Sequence, residues 1–227
     1  MLKKAVAGVL ALAIGTMVSG CAYKGEGVEN PIMRRVMWFS FLAGDDIAQS
    51  CAAGSPDKIR LVYNGVWREQ VRIYEYGFSG GNVLDQRVIG ANELSLVSLD
   101  DPGAIWRGKV GKASLSAQQV AGLTAALQES GAFGPTVTGQ HIASDGYYWT
   151  VAACHGGKFS FNAWQYPNAD FSALTFPAQL MALDNTGVAF NPARKWDSYE
   201  IANKQRDDRE RWYIDTKANG LVGAGSR

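Results

Sequence analysis

Histidine is nearly absent from this chain, with two residues in 227, and only three cysteines accompany it. The spacings that hold a metal are missing as well: there is no His-x-x-x-His, no Cys-x-x-Cys and no calcium-loop arrangement of acids, so no cofactor or metal is expected. Net charge is almost absent, because 22 Lys and Arg stand against 21 Asp and Glu. That balance excludes nucleic acid as the main partner, since a phosphate backbone calls for a concentrated basic surface. The sequence contains no internal repeat and no low-complexity block, which excludes a solenoid or a disordered spacer. The apolar run at residues 5–17 is shorter than the roughly 20 residues a spanning helix needs. What remains is a composition 47% hydrophobic and 11% aromatic, enough to bury a substantial core.

The first stretch carries the most specific message. Lys3 and Lys4 precede the apolar run, and Val18, Ser19, Gly20 and Cys21 follow it. A positive start, an apolar middle and small residues at the end form the pattern of an export signal. The four residues Val18-Ser19-Gly20-Cys21 resemble the lipobox of bacterial lipoprotein precursors. The resemblance implies that residues 1–20 are removed and that Cys21 becomes the lipidated N-terminus of an exported protein held at a membrane. The residue after the cysteine is Ala22 rather than an aspartate, which in that family favours the outer membrane, with the domain facing the periplasm. Residues 21–29, with Gly25 and Gly27 and little apolar content, then read as the lipidated cysteine and a short tether. Removing 20 residues from 227 leaves 207, which suits one domain. In an oxidising compartment the two remaining cysteines, Cys51 and Cys154, are expected to pair as a disulfide.

Further along, Asn30 and Pro31 are placed to start a helix that Gly44 would end, although a buried strand at 36–42 fits the apolar content equally. Asp45 suits the N-cap of a short helix over 46–53. From Lys58 the pattern turns to strands. Asn64-Gly65 reads as a tight turn between a strand at 59–63 and a partner at 66–76, with further strands at 83–89, 93–99 and 105–110. Ser116, three residues before Gln119, forms a capping box for a helix over 116–130, with Val120, Leu123 and Leu127 on one stripe. Strands at 147–154 and 158–164 flank His155-Gly156-Gly157, and Pro177 starts a short helix through Leu183. Residues 30–190 therefore read as one α+β domain: an antiparallel sheet that can curl strongly, with one main amphipathic helix packed on it and short flanking helices. Residues 191–227 read as a charged extension, with a solvated helical face at 206–211 and a loose end from Gly220.

Four groups of residues invite a chemical reading. Gly103 to Lys109 spells G-x-x-x-x-G-K, but Val110 stands where a phosphate loop needs Ser or Thr, so the match reads as a turn and a strand. Asp45 and Asp46 form an adjacent carboxylate pair whose simpler role is helix capping. His141, Ser144, Asp145, Cys154 and His155 are the candidates for an envelope hydrolase, the alternative to a non-catalytic binding or scaffolding protein; that alternative requires the side chains to converge in one pocket. Among the strand aromatics Trp106, Tyr147, Tyr148, Trp149, Trp164 and Tyr166, a face of Trp106, Tyr148, Trp164 and Tyr166 is the candidate surface for an envelope protein or glycan, weighed against burial in the core.

Overall fold

The computed structural model describes residues 22–67, 69–90, 107–197, 200, 211–218 and 220–224. At the start, helix wins over strand: α1 runs Pro31–Ala43, with the Asn30 side chain accepting from the backbone N–H groups of Ile32 and Met33. Gly44 ends it at φ +73° and is followed at once by α2, Asp45–Ser50. A Cβ on Gly44 would lie 2.5 Å from the Cβ of Ala152, so this bend presses against the sheet at a distance only glycine allows. Strands β1 (Lys58–Gly65), β2 (Gln70–Tyr76), β3 (Val83–Gly90) and β4 (Lys109–Ser114) come next, then α3 (Ala117–Glu129). They are followed by β5 (His141–Ala143), β6 (Tyr147–His155), β7 (Lys158–Gln165), α4 (Ala169–Ser172), α5 (Phe176–Leu183), β8 (Tyr213–Lys217) and β9 (Gly220–Ala224).

The main sheet is open and six-stranded, in the order β4-β3-β2-β1-β6-β7 with every pair antiparallel, and β5-β8-β9 form a second, three-stranded sheet. The protein is therefore α+β, and alternation along β1 distributes its side chains to two separate cores. Ile59, Leu61 and Tyr63 join Tyr74, Trp149 and Val151 beneath α3 and α5, which contribute Leu123, Leu127, Phe176 and Leu180. Val62 joins Val71, Ile73, Tyr148 and Ala152 beneath α1, α2 and the small sheet, which contribute Trp38, Phe41, Leu42, Ile47, Ile142 and Ile214. With both faces covered, β1 and β6 are buried along nearly their whole length.

Two arginines sit inside these layers. Arg60, 1% exposed, is gripped by both Asp46 oxygens at 2.8 Å, by Glu75 at 2.7 Å and by the Phe41 carbonyl at 3.0 Å, with the Phe41 ring 4.0 Å from its guanidinium carbon. Arg72, on the opposite face, bonds Asp184, Gln70 and the Val188 carbonyl. A buried charge persists only when its lone pairs and donors are met, and both guanidiniums are clamped in this way. The pair of aspartates thus separates: Asp46 holds Arg60, whereas Asp45 accepts from Ser40 and is the first residue of α2, whose N-cap is Gly44.

Several sequence expectations give way to tertiary packing. The strand β1 continues through Asn64 and Gly65, which pair with Tyr148 and Tyr147 of β6, and the chain turns one residue later at Val66, φ +67°. The Asn64 amide donates to the carbonyls of Ser144 and Gly146, so its polarity serves a strand contact rather than a turn. The expected tether is not free: Tyr23 and Val28 are buried in the α1 core, and the Tyr23 N–H donates to Ser40 Oγ at 2.8 Å. Part of the expected C-terminal extension is built in, because β8 pairs with β5 and β9 pairs with β8, which places residues 220–224 in a sheet instead of a loose end. The expected strand at 93–99 and the helical face at 206–210 lie outside the described residues, and the strand placed at 105–110 is β4, starting at Lys109.

Candidate functional site

The turn from β5 to β6 and the end of β7 frame an open groove of about 610 Å³. Asp145, Gly146 and Tyr147 form one wall, Gln165, Tyr166 and Pro167 a second, and Arg194, Lys195, Trp196 and Arg211 the rim. The Tyr166 backbone N–H donates to the Tyr147 carbonyl at 2.9 Å, which fixes the two tyrosines side by side on paired strands. Their rings meet edge to face at 6.1 Å, and the Trp196 ring lies 6.0 Å from Tyr147 on the other side. Tyr166 and Trp196 are half-buried, leaving part of each ring on the groove.

The charges around this groove are mostly organised. Arg194 chelates Glu200 through both terminal nitrogens and lies over the Trp196 ring at 5.8 Å. Arg211 bonds Asp145 at 3.1 Å and lies over Tyr213 at 5.4 Å. Lys195 is exposed and makes no ion pair among the described residues. The Tyr147 hydroxyl is buried with no hydrogen-bond partner among the described residues, and burial raises its pKa above the ordinary tyrosine value. A buried hydroxyl left unpaired forfeits a bond worth about 1 kcal/mol. A second cavity, about 710 Å³, lies over β2–β4 beside Tyr23, where Lys112 meets Asp85 at 2.8 Å, Ser79 donates to the same carboxylate, Glu75 holds Arg60 and Arg87 donates to the Arg107 carbonyl.

The candidate hydrolase residues do not converge. His141 Nδ1 meets Asp215 at 2.6 Å and its ring stacks on Tyr213, all on the small sheet. His155 Nδ1 meets Asp57 at 2.6 Å, and its ring stacks on Phe133 at 4.2 Å, at the far end of β6. Asp145, in the turn two residues before β6 begins, is separated from His155 by the length of that strand, about 26 Å at roughly 3.3 Å per residue. Ser144 is buried, with its hydroxyl accepting from the Trp212 N–H. Cys154 is bonded to Cys51 with the Cα atoms 5.5 Å apart, so it offers no thiol. Among the described residues neither imidazole has a serine, threonine or cysteine on its second ring nitrogen, and no group of three His, Cys, Asp or Glu side chains could hold a metal. Such a His-Asp pair orients a ring and fixes its tautomer, but covalent catalysis also needs the nucleophile.

The proposed aromatic face also dissolves. Tyr148 is fully buried in the α1 core, Trp164 is buried in the α3 core against Phe176, and Trp106 lies outside the described residues. Both faces of the sheet are covered, so alternation sends each ring into one core or the other instead of to solvent. Among the described members of that face Tyr166 alone lines the groove, and its ring meets those of Tyr147 and Phe171. The sequence reading overlooked Arg194, Lys195 and Trp196 as a site because they fall in a segment assigned to an extension; the consecutive basic and aromatic residues were the available signal. Compared with protein-family models, with curated proteins and with solved structures, the chain gives no match.

Proposed function

We propose that this protein is an envelope lipoprotein, lipidated at Cys21 and held at the periplasmic face of the outer membrane, whose domain binds its ligand without catalysis in the groove between Tyr147, Tyr166 and Trp196. The order of charge, apolar run and small residues up to Cys21 supports the anchor. The Cys51–Cys154 bond is consistent with an oxidising compartment.

The observation that carries the binding reading is a single groove that joins half-buried aromatic faces, a basic rim and a tyrosine whose buried hydroxyl has no partner among the described residues. Aromatic faces stack on the C–H faces of sugar rings, and Lys195 at the rim supplies a donor for a carboxylate. A carboxylate-bearing saccharide of the envelope fits that combination, and the separation of His141, Asp145 and His155 supports binding over hydrolysis. Calorimetric titration of the mature domain with a muramyl peptide tests the reading. Saturable heat is expected, with Trp196→Ala and Lys195→Glu each weakening affinity about tenfold, equivalent to ~1.4 kcal/mol. Heat that is absent, or that is unchanged in both variants, contradicts it.

A further inference from the structure

We propose that the exposed face of α1 lies on the membrane surface, with Ile32 and Val36 immersed in the acyl boundary, so that the domain is docked on the bilayer instead of hanging from it. This rests on the reading of Cys21 as the lipid attachment point. Ile32 is 74% exposed, Val36 54% and Met33 38%, a concentration of exposed large apolar residues on a helix that buries its other side completely. Exposed apolar side chains scattered singly call for no explanation, but a contiguous set marks a surface that meets another apolar phase.

The path of the chain says which phase. Ile32, Val36 and Ser40 are spaced by four, so they follow one another along a single stripe of α1. The backbone N–H of Tyr23 is bonded to Ser40 Oγ, and the Tyr23 ring is packed edge to face on Phe41 at 5.0 Å. Cys21 is only two residues from this fixed point, within about 8 Å at 3.8 Å per Cα step. Ser40 and Ile32 are separated by eight residues of helix, about 12 Å at 1.5 Å per residue. A lipid on Cys21 therefore enters the bilayer beside this stripe, with no slack to lift the helix away.

The surroundings match an interfacial site. Phe39, one turn beyond Val36, is half-buried and meets Trp212 edge to face at 5.4 Å, giving the stripe an aromatic border. An amphipathic indole such as that of Trp212 favours the boundary between headgroups and acyl chains. Exposed Lys24 and Arg35 flank the apolar residues and suit anionic headgroups. An amphipathic helix lying in the interface buries its apolar side a few ångströms deep, and a covalent lipid already present leaves it only the orientation to supply.

The test uses the lipidated full chain in phosphatidylethanolamine–phosphatidylglycerol vesicles, with a single polarity-sensitive fluorophore on Ile32→Cys or Val36→Cys, and on Gln128→Cys in α3 as a control. Emission at positions 32 and 36 is expected to shift to the blue and to be quenched by lipids carrying a shallow spin label, while position 128 does neither. Protein that floats with vesicles but gives the same unshifted emission at all three positions overturns the docking alone. Protein that carries no lipid and fails to float overturns the anchored reading, and the docking with it.

Discussion

Arg72 and Asp184 show what single buried residues decide. Burial pushes the Asp184 carboxyl up, but bonds from Thr186 and Tyr74 and the Arg72 charge outweigh it and leave its pKa below the ordinary value. A carboxyl whose pKa is depressed in the folded state adds stability above the unfolded value, about 3.9, and loses it as pH falls through the lower folded value. Urea midpoints should therefore show wild type ahead of Asp184→Asn by a constant margin from pH 7 to pH 5, with the margin shrinking below about pH 4. A margin unchanged at pH 3 contradicts this. The same chemistry was hidden in the sequence: Arg60 and Arg72 occupy alternate strand positions that a one-sided pattern assigns to water, and only partners 14 and 112 residues away make them buried. The groove is hidden for the same reason, since Tyr147 and Trp196 meet across 49 positions that no local pattern links.

At the scale of elements, local chemistry and tertiary packing divide the outcome. Where a signal is complete within a few residues, the chain obeys it. Ser116 and Gln119 form the reciprocal cap of α3, Asn30 caps α1, and Gly156-Gly157, both at positive φ, join β6 to β7. Leu123 is buried at 3% exposure beneath α3, so Leu123→Ala should cost about 2 to 5 kcal/mol in chemical denaturation; a negligible change would remove the helix from the core. The disulfide fastens the end of α2 to the end of β6 across 103 residues, and closing so long a loop stabilises by up to about 4 to 5 kcal/mol in the chain-entropy model. Reduction should lower the unfolding midpoint accordingly, and an unchanged midpoint would show that the bond constrains nothing. Where a signal is shared between distant segments, it misleads. Asn64-Gly65 looks like a turn because its residues tolerate one, but β6 takes both into the ladder.

For the whole molecule, the decisive fact is that the sheet is covered on both sides. Alternation then ceases to mean inside and outside, and aromatic residues expected on a face become the substance of two cores. The same layering draws in both ends of the described chain: Tyr23 and Val28 are buried against α1, and the β8–β9 hairpin completes the small sheet against β5. The α+β class was legible from strand and helix signals, whereas the second sheet was not, because β5 is only three residues long and its partner begins 70 residues after it ends. A domain folded up to Tyr23 leaves almost no tether after Cys21, so the proposed lipid there would hold the domain close against its membrane. Whether Cys21 carries the proposed lipid is decided by the intact mass of the native chain recovered from membranes. A chain beginning at Cys21 and carrying the mass of a diacylglyceryl group with its amide-linked acyl chain is predicted; an unacylated chain, or one that retains residues 1–20, would contradict it.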